Sequence, residues 1–283
     1  MCALSYSFAV RSDVVLIGQQ IDDALADLRD LSGNPVATHT YWVTSAGSDG
    51  SVDVGRDGEV LARRQQPGAA LGWVMWDVNR RAAEAASGHM LLHSGAMEAA
   101  GAGILLPGAS GSGKSTLVAG LVGAGLGYLT DELAAVDMRS GLLLPYPKPI
   151  TVKRGSFGVL SHFGPDARSP SDSVSYSGEE WQVAVGGRTP GVRIGAACTP
   201  ALVIAPRYAP GAETTLEPLS ETQAFFMLAV NAVNLVAHGA AGTDVLGRLA
   251  RECRCFTLTY SDLEDACGLV VDMAESVMEG TAS

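Results

Sequence analysis

The stretch GILLPGASGSGKSTLVAGL, residues 103–121, places an apolar segment, a glycine-rich loop and a helical pattern one directly after another. Residues 108–115 satisfy G-x-x-x-x-G-K-[ST], a string that carries weight only between a strand and a helix, as it stands here. The glycines let backbone N–H groups turn towards phosphate oxygens, and the helix N-terminus adds partial positive charge. The stretch therefore predicts a phosphate loop, running from Gly108 to Thr116, that binds a nucleoside triphosphate.

The loop residues have distinct expected roles. Lys114 should reach the β- and γ-phosphates, and Ser115 should coordinate Mg²⁺. The nucleotide-binding residues predicted from the motif are Gly108, Ser110, Gly111, Ser112, Gly113, Lys114, Ser115 and Thr116. The motif does not identify the reaction, because motor ATPases, GTPases, transporter ATPases and kinases share it. The chain has neither the LSGGQ-like helix opening of transporter ATPases nor the NKxD tetrapeptide of GTPases, which leaves an ATP-using kinase or an isolated ATPase.

Two acids and a histidine are the further candidates for chemistry. Asp131 and Glu132 close an apolar strand 17 positions after Lys114, where a carboxylate can hold Mg²⁺ or accept a proton from an attacking hydroxyl. Adjacent residues of a strand project to opposite sides, so one acid is expected to face the nucleotide, and Asp131 is assigned first. The alternative is a helix-capping pair before Leu133. His93, at the end of a strand, is on its own more typical of a satisfied core histidine.

Composition narrows the partners. The chain has 283 residues, of which 47% are hydrophobic and 17% charged, as in a folded globular protein. Its formal charge of −11 disfavours nucleic acid and anionic membranes. Lys148, Lys153 and Arg154 form a local basic cluster that is either ordinary surface charge or a phosphate-handling group. No apolar run approaches a membrane span and no signal peptide is evident, so a soluble, cytoplasmic protein is expected.

The pattern along the chain predicts two regions. An N-terminal α+β subdomain, residues 1–87, contains a helix at 71–86 with Trp73, Val74 and Trp76 on its apolar side, and a strand pair formed by 38–45 and 59–64. From residue 88 to 283, strand, loop, helix and strand follow in the order of a βαβ unit, which predicts an α/β core with a parallel sheet. Residues 145–195 show weak periodicity. A helix is expected over 221–237, opening after Ser220.

The run HSGAMEAAGAGILLPGASGSGKSTLVAGLVGAGLGYLTDE, residues 93–132, resembles the core of the HPr kinase/phosphorylase family. In that family a histidine, a short hairpin, a phosphate loop, a helix ending in glycine and an acid pair follow in this order. The resemblance implies a P-loop core of the HPr kinase and PEP-carboxykinase-like type. It also implies that Asp131 is the base for a serine hydroxyl and that His93 belongs to the active site, near the γ-phosphate or acting on Asp131. A weaker similarity extends the match to about two thirds of the chain.

The departures from that family are informative. Its phosphorylase signature has a glutamate shortly before Arg-Gly, whereas this chain reads TVKRGSFG at 151–158, with no acid there. Phosphorylase activity is therefore not expected. Glu132 stands where the regulatory enzymes carry Asp, and the N-terminal region is unlike their regulatory domain. The chain is more similar to the shorter HPr-kinase-related proteins found beside peptide-modification genes, some of which phosphorylate a serine of a precursor peptide.

The leading hypothesis is an ATP- and Mg²⁺-dependent kinase that transfers the γ-phosphoryl group to a hydroxyl, on a serine of a peptide or protein. Lys114, His93 and Asp131 are its expected catalytic residues, and Ser115, Asp131 and Glu132 its expected metal ligands. Two alternatives remain open: a kinase of a small-molecule alcohol, such as a sugar or cofactor, and a regulatory ATPase without an acceptor. A homo-oligomer is also open, since the regulatory enzymes form hexamers. The candidate transition-state cations are Arg154, which the matching block favours, and Arg188, Arg193 and Arg207.

Overall fold

The computed structural model of the chain describes residues 1–29, 36–161, 174–176, 179–184 and 192–281. The strands are β1 (Cys2–Ala3), β2 (Tyr6–Ser12), β3 (His39–Ser45), β4 (Val52–Arg56), β5 (Glu59–Gln65), β6 (His89–Ala99), β7 (Ala102–Pro107), β8 (Gly127–Thr130), β9 (Leu133–Asp137), β10 (Leu143–Leu144), β11 (Ile150–Lys153), β12 (Val174–Tyr176), β13 (Glu180–Val183), β14 (Thr199–Tyr208), β15 (Thr215–Pro218) and β16 (Arg254–Tyr260). The helices are α1 (Val15–Ala24), α2 (Ala70–Ala85), α3 (Lys114–Gly123), α4 (Glu221–Val230), α5 (Leu235–Glu252) and α6 (Leu263–Thr281). The protein is thus of mixed α/β class.

The chain divides into two compact units. The first is Met1–Ala86 with Pro147–Thr189, and the second is Ser87–Tyr146 with Pro190–Ser283. The boundary at residue 87 coincides with the change of pattern in the sequence. Residues 147–189, however, group with the first unit, although the sequence division placed them in the core. A division read from sequence assumes a continuous domain, whereas here the chain leaves the second unit and returns to it.

The first unit is built on a five-stranded sheet in the order β1-β2-β3-β4-β5. The predicted pairing of 38–45 with 59–64 is wrong, because β4 lies between β3 and β5 and pairs with both. The glycines and polar residues around β4 hid its alternation, in which Val52 and Val54 are buried. Helix α2 buries Val74, but Trp76 is 55% exposed, so its assignment to the apolar side is also wrong.

Part of the region expected to lack regular structure forms a second small sheet. Strand β13 pairs with β11 on one side and β12 on the other, both antiparallel. The ring of Phe157 stacks on that of Trp181 with centroids 3.8 Å apart. The strands are only three or four residues long, too short for a periodicity of two to stand out in a sequence rich in Gly, Pro and Ser.

The second unit contains an eight-stranded sheet in the order β10-β9-β6-β7-β14-β16-β15, with β8 paired to β6. The expected parallel sheet is present only in part. Strands β7, β14 and β16 are parallel, whereas β6 runs antiparallel to β7, β8 and β9. The sheet is therefore mixed, and β7, α3 and β8 form a crossover around the intervening β6.

Helices cover both faces of this sheet. Leu92 and Ala96 of β6 belong to the apolar cluster that includes Leu228 of α4 and Leu246 of α5. Gly95, between them on β6, faces the other way, towards Val118 of α3. Helix α3 packs against α6 on that face. The helix expected over 221–237 is two helices, because the chain breaks at 231–234. No helix in the described ranges combines the length and hydrophobicity needed to cross a membrane.

Candidate functional site

The loop lies at the carboxyl ends of three parallel strands. It follows β7 directly, and its far side touches the ends of β14 and β16: the Tyr208 N–H donates to the Ser112 carbonyl at 3.0 Å, and the Tyr260 hydroxyl donates to the Gly113 carbonyl at 3.1 Å. In open α/β sheets, ligands bind beyond the carboxyl ends of strands. The sequence did not point to the two tyrosines, which lie about 90 residues or more along the chain from the loop. Tyr208 and Tyr260 are the last residues of β14 and β16.

Gly113 is the residue of the loop that most clearly requires glycine. Its φ is +91°, and a Cβ there would stand 2.2 Å from the Tyr260 hydroxyl oxygen and 3.1 Å from Tyr208 Cβ. Gly113 is also the N-cap of α3, where the helix presents its free N–H groups. Backbone conformation and a close approach from β16 thus both fix this position.

We predict that Gly113→Ala lowers the affinity for nucleotide at least about tenfold and lowers the melting temperature. An alanine in the left-handed conformation is strained, and its methyl group would displace Tyr260. The measurement is titration with a fluorescent ATP analogue together with a thermal melt. Gly123→Ala is the matched control, because a Cβ at Gly123 meets no atom within 4 Å. The control should bind normally. Normal binding by Gly113→Ala would contradict the assigned loop conformation.

Lys114 begins α3 with a side chain that is turned inwards. The residue is 5% exposed, and its Nζ lies 2.9 Å from the Gly108 carbonyl oxygen and 2.8 Å from His93 Nε2. An ammonium group has donors only, so His93 accepts through the lone pair of Nε2. The predicted catalytic pair of His93 and Lys114 is therefore in direct contact, and His93 holds the lysine side chain across the mouth of the loop.

The register of β6 brings the separate candidate residues together. Ser94 pairs with Pro107, the residue before the loop, and the Ser94 N–H also donates to the Glu132 carbonyl at 3.0 Å. His93, the residue before Ser94, pairs with Leu133. Since neighbouring strands lie about 4.8 Å apart, the start of the loop and the acid pair stand about 10 Å apart across this one strand. Such a span is of the size of a phosphate chain with its metal ion.

Asp131 and Glu132 occupy different environments. Asp131 is 1% exposed and accepts a hydrogen bond from the Tyr128 hydroxyl at 3.2 Å, while Glu132 is half-buried. Burial and the neighbouring Asp131 carboxylate raise the pKa of Tyr128 well above its usual value, so its phenol stays protonated and donates. The alternative interpretation as a helix cap is wrong, because Leu133 begins strand β9. Sequence patterns did not indicate Tyr128.

The candidate cations separate clearly. Arg193 pairs with the buried Glu98, and Arg154 in the first unit is exposed and paired with Glu179. Arg207 is exposed and directly precedes Tyr208 beside the loop, and no carboxylate pairs with it in the described part of the chain. Arg188 lies outside the described residues. The members of the basic cluster, Lys148, Lys153 and Arg154, differ in exposure. Lys148 is 1% exposed, so its interpretation as ordinary surface charge is wrong.

Two serine hydroxyls in the loop and the first turn of α3 are the candidate contacts for a phosphate or a metal ion. The Ser112 hydroxyl is buried and meets no hydrogen-bond partner among the described residues. Ser115 lies in the first turn of α3 and is half-buried. In those same residues no three His, Cys, Asp or Glu side chains cluster as a metal site. Mg²⁺ in nucleotide sites takes one or two protein ligands, with phosphates and water as the rest, so Ser115 and one carboxylate would suffice.

Comparison with known proteins adds no family. Neither the scan against protein-family models nor the search of curated proteins finds a match to this chain.

Proposed function

We propose that the chain is an ATP- and Mg²⁺-dependent kinase of the HPr-kinase-related type, transferring the γ-phosphoryl group to a hydroxyl of a peptide or protein serine. The observation that carries the proposal is the convergence on β6: the phosphate-loop lysine, His93 and the acid pair meet around residues 93 and 94. A carboxylate near such a loop can hold Mg²⁺ or accept a proton. Transfer to an alcohol needs a group that accepts the hydroxyl proton.

In this proposal the residues divide the work of an in-line displacement. The loop amides and Lys114 neutralise the charge that develops on the phosphate oxygens. Asp131 accepts the proton of the acceptor hydroxyl, and the Tyr128 hydroxyl orients the carboxylate by donating to its Oδ1. Ser115, with Asp131 or Glu132, would hold Mg²⁺, which supplies further charge neutralisation when bound. His93 positions Lys114.

The test is transfer from γ-labelled ATP, with purified protein incubated against pools of peptides, proteins and small alcohols. Label on a peptide or protein serine supports the proposal. Label confined to a small molecule would establish the kinase of a sugar or cofactor instead. Release of inorganic phosphate at the same rate with and without every acceptor pool would leave the regulatory ATPase and rule out the kinase.

Arg207 is the cation expected to act in this transfer. It lies on β14 beside the loop, whereas Arg154 already pairs with Glu179 at the surface. We predict that Arg207→Ala lowers transfer about 10²-fold, the usual effect of removing a charge-stabilising donor, and that Arg154→Ala stays within about twofold of wild type. Steady-state transfer rates at saturating ATP measure both variants. A larger loss in Arg154→Ala would reverse the assignment.

A further inference from the structure

Four large apolar side chains stand exposed along α4, the connection after it and the first turn of α5. Phe226, Val230, Val233 and Val236 are 62%, 80%, 47% and 98% exposed. We call these four residues the α4–α5 strip. Isolated exposed apolar residues are normal, but contiguous patches of a few hundred Å² on a monomer mark interaction surfaces.

The strip is a second apolar face of helices that already bury a first one. Leu228 of α4 and Leu246 of α5 lie in the core of the second unit. After Gln223, helix α4 reads AFFMLAV, with no polar side chain on either side. A helix that is apolar all round is typical of a buried helix. The fold of one chain buries Ala224 and Leu228 on one side of α4, whereas Phe226 and Val230 on the other side are exposed.

Charge indicates which partner fits. No Asp, Glu, Lys or Arg occurs between Glu221 and Asp244, although the chain as a whole carries −11. Two identical acidic chains repel each other over most of their surfaces, so they approach best through a part of the surface that carries no charge. An anionic membrane surface would be attracted by a cluster of Lys and Arg beside the strip, whereas the nearest charged residues along the chain are Glu221, which pairs with Arg251, and Asp244. A charged peptide would find no ionic partner there.

We propose that two copies of this chain pair through the α4–α5 strip about a two-fold axis. Beside the strip the exposed residues are small: Ala237, Gly239, Ala240 and Ala241. Gly239 has φ +54° and ψ −127° and interrupts the helix there. In a two-fold pair the same surface serves both copies, so the large side chains of each copy can lie over the small residues of the other.

The pair would also bury backbone that supports the candidate site. The connection donates the Val233 N–H to the Leu91 carbonyl at 2.8 Å, and its Asn231 carbonyl accepts the His93 N–H at 2.7 Å. The Asn234 side chain accepts the Leu91 N–H at 2.9 Å. The strand segment that carries His93 is therefore tied to the connection between α4 and α5 by three hydrogen bonds, which pairing would shield from water. The proposed pairing does not itself depend on kinase activity.

Sedimentation of the full chain across a concentration series tests the proposal. We expect wild type to sediment at twice the 29.2 kDa chain mass in the micromolar range. Val230→Asp and Val236→Asp should weaken pairing at least about 100-fold, because each would bury an unpaired carboxylate. Val159→Asp is the matched control, since Val159 is also exposed, at 58%, and lies in the first unit. Wild type at single-chain mass throughout the series would overturn the proposal.

A cross-linking variant covers the case in which the aspartate variants fail to fold. Val233→Cys should form a disulfide-linked dimer under mild oxidation. Val159→Cys should form no more cross-linked dimer than wild type does. The background in wild type should be low, because Cys2 is half-buried and the other cysteines are buried. Concentration-dependent protection of the His93 and Val233 amides in hydrogen exchange is the expected companion result. Folded Val230→Asp that assembles like wild type, or equal cross-linking by both cysteine variants, would refute pairing through the strip.

Discussion

Replacing Lys114 with methionine is expected to lower phosphoryl transfer by about 10³-fold and ATP affinity by at least about tenfold, because the charge that meets the phosphates is lost. Lys114 is buried, and its Nζ contacts the Gly108 carbonyl oxygen and His93 Nε2 at the mouth of the loop, as described above. Methionine keeps the length of the stem that packs beside Gly95. The loss should therefore be one of charge and not of packing.

The melting temperature of Lys114→Met distinguishes a loss of charge from a loss of packing. Removing the buried ammonium group removes its desolvation cost but also its hydrogen bonds to Gly108 and His93, so the melting temperature should change little while transfer collapses. Lys153→Met, at an exposed lysine of β11, is the control and should retain both properties. Transfer rates and a melt of each variant are the measurements. If Lys114→Met retained transfer, the loop would have no role in the reaction.

Asp131→Asn is expected to lower transfer by 10²- to 10⁴-fold, about the range that a positioned general base contributes, with ATP affinity changed only a few-fold. Asparagine has nearly the same shape, and its Oδ1 can still accept from the Tyr128 hydroxyl, so the fold around it should be kept. Label transferred from γ-labelled ATP and the Kd for ATP are measured on the same preparation.

Glu132→Gln is the internal comparison for Asp131→Asn. Glu132 is half-buried whereas Asp131 is buried, so the loss of Glu132 should cost about tenfold or less, the effect of a weakened metal ligand. A rise in the Mg²⁺ concentration that gives half-maximal transfer would accompany it. If Glu132→Gln costs more than Asp131→Asn, the two acids have exchanged roles.

The candidate site was predictable where its residues follow one another in sequence. The strand at 103–107, the loop and the helix from 115 appear as expected, and the short strand ends at Thr130 before the acid pair. The family resemblance implied that His93 belongs to the site, near the γ-phosphate or acting on Asp131, but its contact with Lys114 was not expected. Tyr128, Tyr208 and Tyr260 were not predicted at all, since a tyrosine at a strand end has no pattern that distinguishes a site residue from a core residue.

Errors in the fold prediction share one cause. The hidden strand β4, the small sheet of β11, β12 and β13, and the mixed direction of the large sheet all depend on which strands pair. Alternation of apolar and polar residues indicates that a strand exists but carries no information on its neighbour or direction. The exposed Trp76 shows the same limit in a helix, because a large apolar residue was assumed to lie on the buried side.

The sequence by itself determined the glycine-rich loop after β7 and the start of α3, because the positive φ of Gly111 and Gly113 and the free N–H groups of a helix N-terminus are local properties. Tertiary structure alone decided what surrounds that loop. His93 lies beside it through the pairing of β6 with β7, Tyr260 through the pairing of β16 with the distant β14, and Glu132 stands across β6 from it. Strand register is set by packing over the whole sheet, and this non-local choice turns a nucleotide-binding motif into a candidate site for phosphoryl transfer.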